Sequence, residues 1–378
     1  MRKIYFDNAA TTPIDKEVIA SLSQSMGEII GNPSSTHHYG RRAKAMVENS
    51  RKKIAQYLNC SASEIIFTAG GSEADNLILF NSITNLEVKR IIISQIEHHA
   101  VLHTVQHLAK DFSIEVEYVN LSSKGEVDHN HLISLLQNSP VKTLVSLMHV
   151  NNEIGNILDL DRIVEICKEN NALFHSDTVQ GIAHVPFDLK KTPIDFIAAS
   201  AHKFHGPKGV GFAVFKKGFG INPILHGGEQ ERGARAGTEN THSIFGMEKA
   251  LTLAMDNFEE DKNYISGLKQ YFIDQLQANF EDIEFNGFSN DADKSAFHIL
   301  NVRFNKEIPM LLFNLDLKGI AASGGSACQS GSNKGSHVLN TILPKRDTQK
   351  TSVRFSFSKH NTKEEIDYVI DVLRDIIK

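Results

Sequence analysis

Between residues 65 and 215 short β-branched runs alternate with helical patterns, and one connection is too short to hold a helix. Strand patterns fall at 65–68, 90–94, 114–119, 143–148, 172–177, 195–200 and 211–215, with helical periodicity at about 72–82, 97–110, 128–138 and 160–170. Such alternation builds a mostly parallel sheet covered by helices on both faces. A parallel neighbour needs a crossover of a dozen or more residues. Only ten residues, rich in His, Lys, Gly and Pro, separate Ser200 from Gly211. The last strand is therefore expected to run antiparallel. Ahead of the alternation, 36–59 reads as an amphipathic helix with Ala43, Val47, Ile54 and Leu58 on one face.

After Thr241 the texture changes to a long helical stretch reaching about 279. A strand at 296–301, a helix at 308–317, a strand at 353–356 and a helix from Thr362 follow. The expected architecture is α/β. A large domain over 13–256 carries a seven-stranded, mostly parallel sheet; a smaller α+β domain comprises 257–378 with the N-terminal 1–12. A chain of 378 residues buries an adequate core without disulfides or metals, and three cysteines make no disulfide scaffold. With 40 basic and 45 acidic side chains the net charge is −5, against the basic balance of a nucleic-acid binder. No apolar run approaches a membrane span, and Asp7 arrives before a signal segment develops. A cytoplasmic enzyme that binds neither nucleic acid nor membrane is expected.

Ligands of open α/β sheets bind beyond the carboxyl ends of the strands. After the first strand, Gly70-Gly71-Ser72 turns into a helix, a place where backbone N–H groups hold a phosphate. Later strand ends carry Glu97-His98-His99, His149-Val150-Asn151-Asn152, His175-Ser176-Asp177 with Gln180, and Ser200-Ala201-His202-Lys203. Each has an ordinary reading as a cap or loop residue; together they describe a constructed site. A lysine, a strand-end aspartate, a phosphate turn and an aromatic-capable histidine are what pyridoxal 5′-phosphate requires. Lysine forms a Schiff base with its aldehyde, and a carboxylate keeps its pyridine nitrogen protonated so that the ring withdraws electrons.

The strings DNAATTP (7–13), FTAGGSEADN (67–76), EHHAV (97–101), MHVNNEIG (148–155), HSDTVQ (175–180), SAHKFHGPKG (200–209), GGEQERGARAGTEN (227–240), SGGSACQSG (323–331) and SVRFS (352–356) span nearly the whole chain in order. This set resembles the NifS/IscS-like cysteine desulfurases of the class V aminotransferase superfamily. The resemblance implies a pyridoxal-phosphate-dependent type I fold. It implies removal of sulfur from L-cysteine to give L-alanine and a persulfide on Cys328, which also serves as a transient iron–sulfur ligand. Lys203 would carry the cofactor, Asp177 pair with its ring nitrogen, His98 stack on the ring and act as acid or base, and Gln180 bond its phenolic oxygen. Gly71, Ser72, Ser200 and His202 would surround the phosphate, and Thr238 reach the phosphate of a second copy in a homodimer. Asn152, beside the cofactor, and Arg354 would bind substrate.

Cys328 lies among small residues, Gly324 to Ser332, which suit a mobile, accessible nucleophile. Cys60 and Cys167 read as packing residues. The long glycine- and serine-rich segment after Cys328 resembles the branch whose loop delivers sulfur to an iron–sulfur scaffold protein, with tRNA thiolation as a further destination. The sequence reaches Lys378 soon after the final helix, without the tail that some relatives use to contact the scaffold. Two rivals remain. His99, His103 and His107 at i, i+4, i+8 would suit a metal, against which an outer polar face with chance spacing is preferred. Another pyridoxal-phosphate lyase or aminotransferase of the same fold, such as a selenocysteine lyase, is opposed by the GSAC loop.

Overall fold

The computed structural model describes residues 2–137, 140–324 and 335–377. Its large sheet contains β1 (Ile65–Thr68), β2 (Arg90–Ile93), β3 (Glu115–Tyr118), β4 (Thr143–Ser146), β5 (Leu173–Asp177), β6 (Phe196–Ser200) and β7 (Gly211–Phe215). The spatial order is β1-β7-β6-β5-β4-β2-β3. β7 runs antiparallel to both neighbours, as its short connection demands, and every other pair is parallel. Strands β1, β2, β4, β6 and β7 are buried at every position, which is why they read as mostly apolar runs without alternation. Adjacent residues feed opposite faces: Phe67 and Val145 join one core, and Ile66 and Leu144 join the other. The edge strand β3 carries Glu115 and Glu117, charges that discourage further pairing.

The helix His38–Leu58 turns Val47, Ile54 and Leu58 into the first of these cores, buries Ala43 on the same helix, and ends at Asn59 in the left-handed conformation. The expected helical stretch to about 279 consists of two helices, Thr241–Asp256 and Phe258–Asn279. They meet at Asn257, whose side chain donates to the Leu253 carbonyl at 2.8 Å and competes with helix continuation.

A separate antiparallel sheet places Ile299–Arg303 between Glu284–Phe285 and Ser352–Ser356. The strand starts at Ile299, and not at 296, because the Ile299 amide turns back onto the Ala296 carbonyl. The chain start joins this region: Ile4–Tyr5 pairs in parallel with Ile320–Ala321, and the Phe6 ring packs 5.2 Å from Phe357. Phe6, Leu268, Phe272, Val302 and Phe355 belong to one core, so the first residues and the C-terminal part bury each other. Residues 7–12 then cross to the ends of the large sheet's strands. Among the described residues no helix is long and apolar enough to cross a membrane.

Candidate active site

A cavity of about 220 Å³ opens at the C-terminal ends of the sheet strands, with residues 9 and 10 as one wall. At one end, β1 turns through Gly70 and Gly71 into the helix Gly71–Thr84. Gly70 has φ 154° and ψ −176°, a conformation essentially confined to glycine. A Cβ on Gly71 would lie 2.5 Å from Val179 Cγ2. The turn thus brings backbone N–H groups and the helix N-terminus against the cavity beside Ser72, Ser200 and His202. The first-turn carboxylate is turned away, since Glu73 accepts from Arg235 Nε and the Ala69 amide, each at 2.8 Å. His202 Nδ1 lies 3.1 Å from Thr11 Oγ1, and burial pushes this histidine down to about 4.

At the other end Asp177 closes β5, buried, with Oδ1 accepting the Val179 amide at 2.9 Å. Burial pushes its carboxyl up to about 6, against the pull of that amide and of the Lys203 charge. Asp75 also lines the cavity, pushed up by burial and by the neighbouring Asp177 and Glu97 carboxyls. Its Oδ1 has no hydrogen-bond partner and lies 3.4 Å from His175 Nε2. Buried carboxyls grouped around one ammonium are costly unless a further cation meets them. A protonated pyridine nitrogen supplies that cation. The glycine cradle fits a phosphate, and the carboxyl end fits a pyridinium.

Lys203 leaves β6 on a short turn, and its Nζ donates to the carbonyls of Ala9 (2.7 Å) and Ala10 (2.9 Å). Gln180 Nε2 donates to the same Ala9 carbonyl at 2.7 Å. His98 caps the helix His99–Phe112, its Nδ1 accepting the Ala100 amide at 3.2 Å. Burial, then the Lys203 charge, lowers it to about 4, so at neutral pH it is an uncharged ring with its proton on Nε2. Arg354 is fully buried: Nη1 donates to the Asn152 carbonyl (2.7 Å), Nη2 pairs with Asp7 (2.8 Å), and Nε has no partner.

Residues 4–369 match the family Aminotransferase class-V. A relative from Dictyoglomus turgidum, named cysteine desulfurase IscS, is 39% identical over 382 residues, covering 100% of this chain and 95% of its own. A solved NifS-like protein superposes with TM-score 0.91 at 35% identity, covering 100% of this chain and 99% of that one. The structure titled SspA in complex with cysteine gives TM-score 0.81 at 28% identity, over 95% of this chain and 100% of that one. The chain belongs to the class-V aminotransferases, among the cysteine desulfurases. That family uses pyridoxal 5′-phosphate, which agrees with the cradle and the carboxyl end just described.

Of the residues expected in a desulfurase site, Gly71, Ser72, His98, Asn152, Asp177, Gln180, Ser200, His202, Lys203 and Arg354 share the cavity. Thr238 does not; it borders a different hollow with Phe67 and Glu231. Cys328 lies outside the described residues. Cys167 is buried and Cys60 partly so, and burial raises both thiols, Cys60 to about 12. His99 stacks on His103 and leans on His337, whereas His107 faces Asp111 at 3.6 Å. Among the described residues no group of three side chains is arranged for a metal.

Two groups escaped the sequence reading, Asp75 in the cavity wall and Asp7 behind Arg354. Asp75 stands four residues after Gly71 and so lies on the same helix face, a spacing that could have flagged it. Asp7 sits in the quoted N-terminal string, but its ion pair with Arg354 spans 347 positions and leaves no local signal.

Proposed function

We propose that the chain removes sulfur from L-cysteine, releasing L-alanine and leaving a persulfide on Cys328. The observation that carries this reading is the meeting of Lys203, Asp177, His98 and Arg354 in one cavity, in a chain whose sequence also holds the GSAC loop. Lys203 would hold pyridoxal phosphate covalently, with Asp177 at its nitrogen, Gln180 at its phenolic oxygen, and Gly71, Ser72, Ser200 and His202 at its phosphate. The bound cofactor supplies electron withdrawal from the substrate α-carbon. Arg354, with Asn152 beside it, orients the substrate carboxylate; a guanidinium fork matches that group. Lys203 and His98 move the proton at the α-carbon. The Cys328 thiolate attacks the substrate sulfur. A sulfur–sulfur bond forms, the carbon–sulfur bond breaks with its electron pair left on carbon, and that carbon takes a proton to become the alanine methyl group.

The cleft of about 410 Å³ along Gly70, Ser72, His202 and Lys208 leaves the phosphate end open, while Thr238 lies away from its own cavity. This supports a homodimer in which each Thr238 completes the other copy's site. The sulfur would pass to an iron–sulfur scaffold protein, with tRNA thiolation as a second destination and Cys328 as a transient iron–sulfur ligand. A cytoplasmic location accords with this role. The test is product analysis with L-cysteine and a thiol reductant. Equal amounts of alanine and sulfide are expected, and a keto acid in place of alanine would identify a transaminase.

A further inference from the structure

Beside Gln180 two histidines stack with ring centroids 3.9 Å apart and planes 23° from parallel: His298 and His184. His184 lies four residues after Gln180 on the turn that leaves β5, a turn closed by the Gly181 and Ile182 amides on the Thr178 carbonyl. His298 comes from the other sheet region, one residue before Ile299–Arg303, and its carbonyl accepts the Phe357 amide at 2.9 Å. It is 2% exposed. Its Nδ1 has no partner, and its Nε2 lies 3.4 Å from Gln180 Oε1, at the long end of hydrogen-bonding range.

The hydrogen-bond inventory settles the polarity of this contact. An amide nitrogen must face the Ala9 carbonyl, because a carbonyl only accepts; Gln180 therefore presents Oε1 to His298. That oxygen needs a donor, and a neutral imidazole has one N–H to give, at Nε2. The surroundings keep the ring neutral, since burial and the charges of Lys269, Arg354 and Lys203, with His184 stacked on it, all disfavour an imidazolium.

We propose that His298 is a positioning residue that holds the Gln180 amide in one orientation, its NH2 toward the cofactor's phenolic oxygen, with His184 as the backing of the imidazole. The proposal rests on the reading that Gln180 bonds that oxygen. Without the His298 N–H, Oε1 loses its donor and only the Ala9 carbonyl restrains the amide, so the NH2 is held less firmly toward the phenolic oxygen. A donor held on the phenolic oxygen draws it away from the adjacent basic nitrogen and lowers that nitrogen's proton affinity. Losing the donor raises it.

The experiment is a spectrophotometric pH titration of the visible band of the purified holoenzyme, with cofactor dissociation measured beside it. His298→Phe keeps a ring against His184 and removes the N–H; its midpoint is expected to rise by about half a pH unit or more. Gln180→Ala should shift the midpoint similarly, and the double variant no further, since His298 acts through Gln180. A wild-type midpoint in His298→Phe, or shifts that add in the double variant, overturns the proposal. If His298→Phe does not fold, His298→Gln and His298→Asn decide. Glutamine places a donor where Nε2 was and should keep the wild-type midpoint, whereas asparagine falls short and should not; equal midpoints overturn the proposal. A wild-type protein with no visible band fixed by borohydride would refute the cofactor reading itself, a result distinct from an unmoved His298→Phe.

Discussion

Arg354 Nη2 sits 2.8 Å from Asp7 Oδ1, so the guanidinium expected to grip the substrate is aimed by a carboxylate from the opposite end of the chain. Ser323 Oγ donates to the same Asp7 oxygen at 2.8 Å, and the amides of Ser323 and Arg354 each bond the other's carbonyl. Asp7 thereby orients a fully buried cation from outside the cavity lining. Asp7→Asn removes the charge and keeps the shape. It is expected to raise KM for cysteine about tenfold while kcat falls much less, because ground-state positioning is what is lost. Steady-state alanine formation measures both, and a fall confined to kcat would contradict this role.

Gly71→Ala tests the phosphate cradle. The new Cβ would come within 2.5 Å of Val179 Cγ2, so the turn or β5's exit must shift. Such overpacking costs about 1–3 kcal/mol. The variant is expected to bind pyridoxal phosphate at least about tenfold more weakly, read by fluorescence titration of the apoprotein. Tight binding with an unchanged melting temperature would show that the turn yields easily.

The sheet was legible because buried strands of an α/β fold are continuous apolar runs, and Gly211–Phe215 declared its direction through the shortness of its connection. The helix break at Asn257 was not, since asparagine is tolerated inside helices and the apolar spacing continues past it. The residues around the ring were visible as polar side chains at strand ends. Their supports were not: His298 reaches Gln180 across 118 positions, and only packing of the two regions brings them together. The assignment of roles came from resemblance, because no spacing rule links Lys203 to Asp177 or Arg354.

The histidines set the acid stability. His98, His99, His149, His202 and His205 are pushed down to about 4, chiefly by burial, from an ordinary value near 6.5. Between these values the unfolded chain binds more protons than the folded one, so stability falls as pH drops from 6.5 toward 4. Glu97 and Asp177, pushed up to about 8 and about 6, act in the opposite direction, since their folded forms hold protons that the unfolded chain has released. His175, His184 and His298 are pushed down by burial as well, and Asp75 is pushed up; the displaced histidines still outnumber the buried carboxyls, and the urea midpoint of the apoprotein is expected to fall steadily from pH 6.5 to pH 4.5. A midpoint that rises on acidification would mean the carboxyls dominate.

Sulfur should collect on one thiol of three. A nucleophilic cysteine must reach its thiolate form near neutral pH, and burial works against this at Cys167 and at Cys60, where the thiol is pushed up to about 12. At pH 7 a thiol with that value is ionised in roughly one molecule in 10⁵, too few to compete for the substrate sulfur. Cys328, in its run of glycine and serine, has no large apolar neighbours in sequence to impose such a penalty. Cys60→Ser and Cys167→Ser should therefore turn over at wild-type rates, with at most a loss of stability at the buried Cys167. Cys328→Ser should bind pyridoxal phosphate with wild-type affinity, yet form alanine at least about a hundredfold more slowly, since a hydroxyl does not replace the thiolate as acceptor of sulfur. Peptide mass spectrometry after one turnover without reductant locates the extra sulfur. It is expected on the Cys328 peptide, and its recovery on the peptide holding Cys60 or Cys167 would transfer the nucleophilic role to that residue.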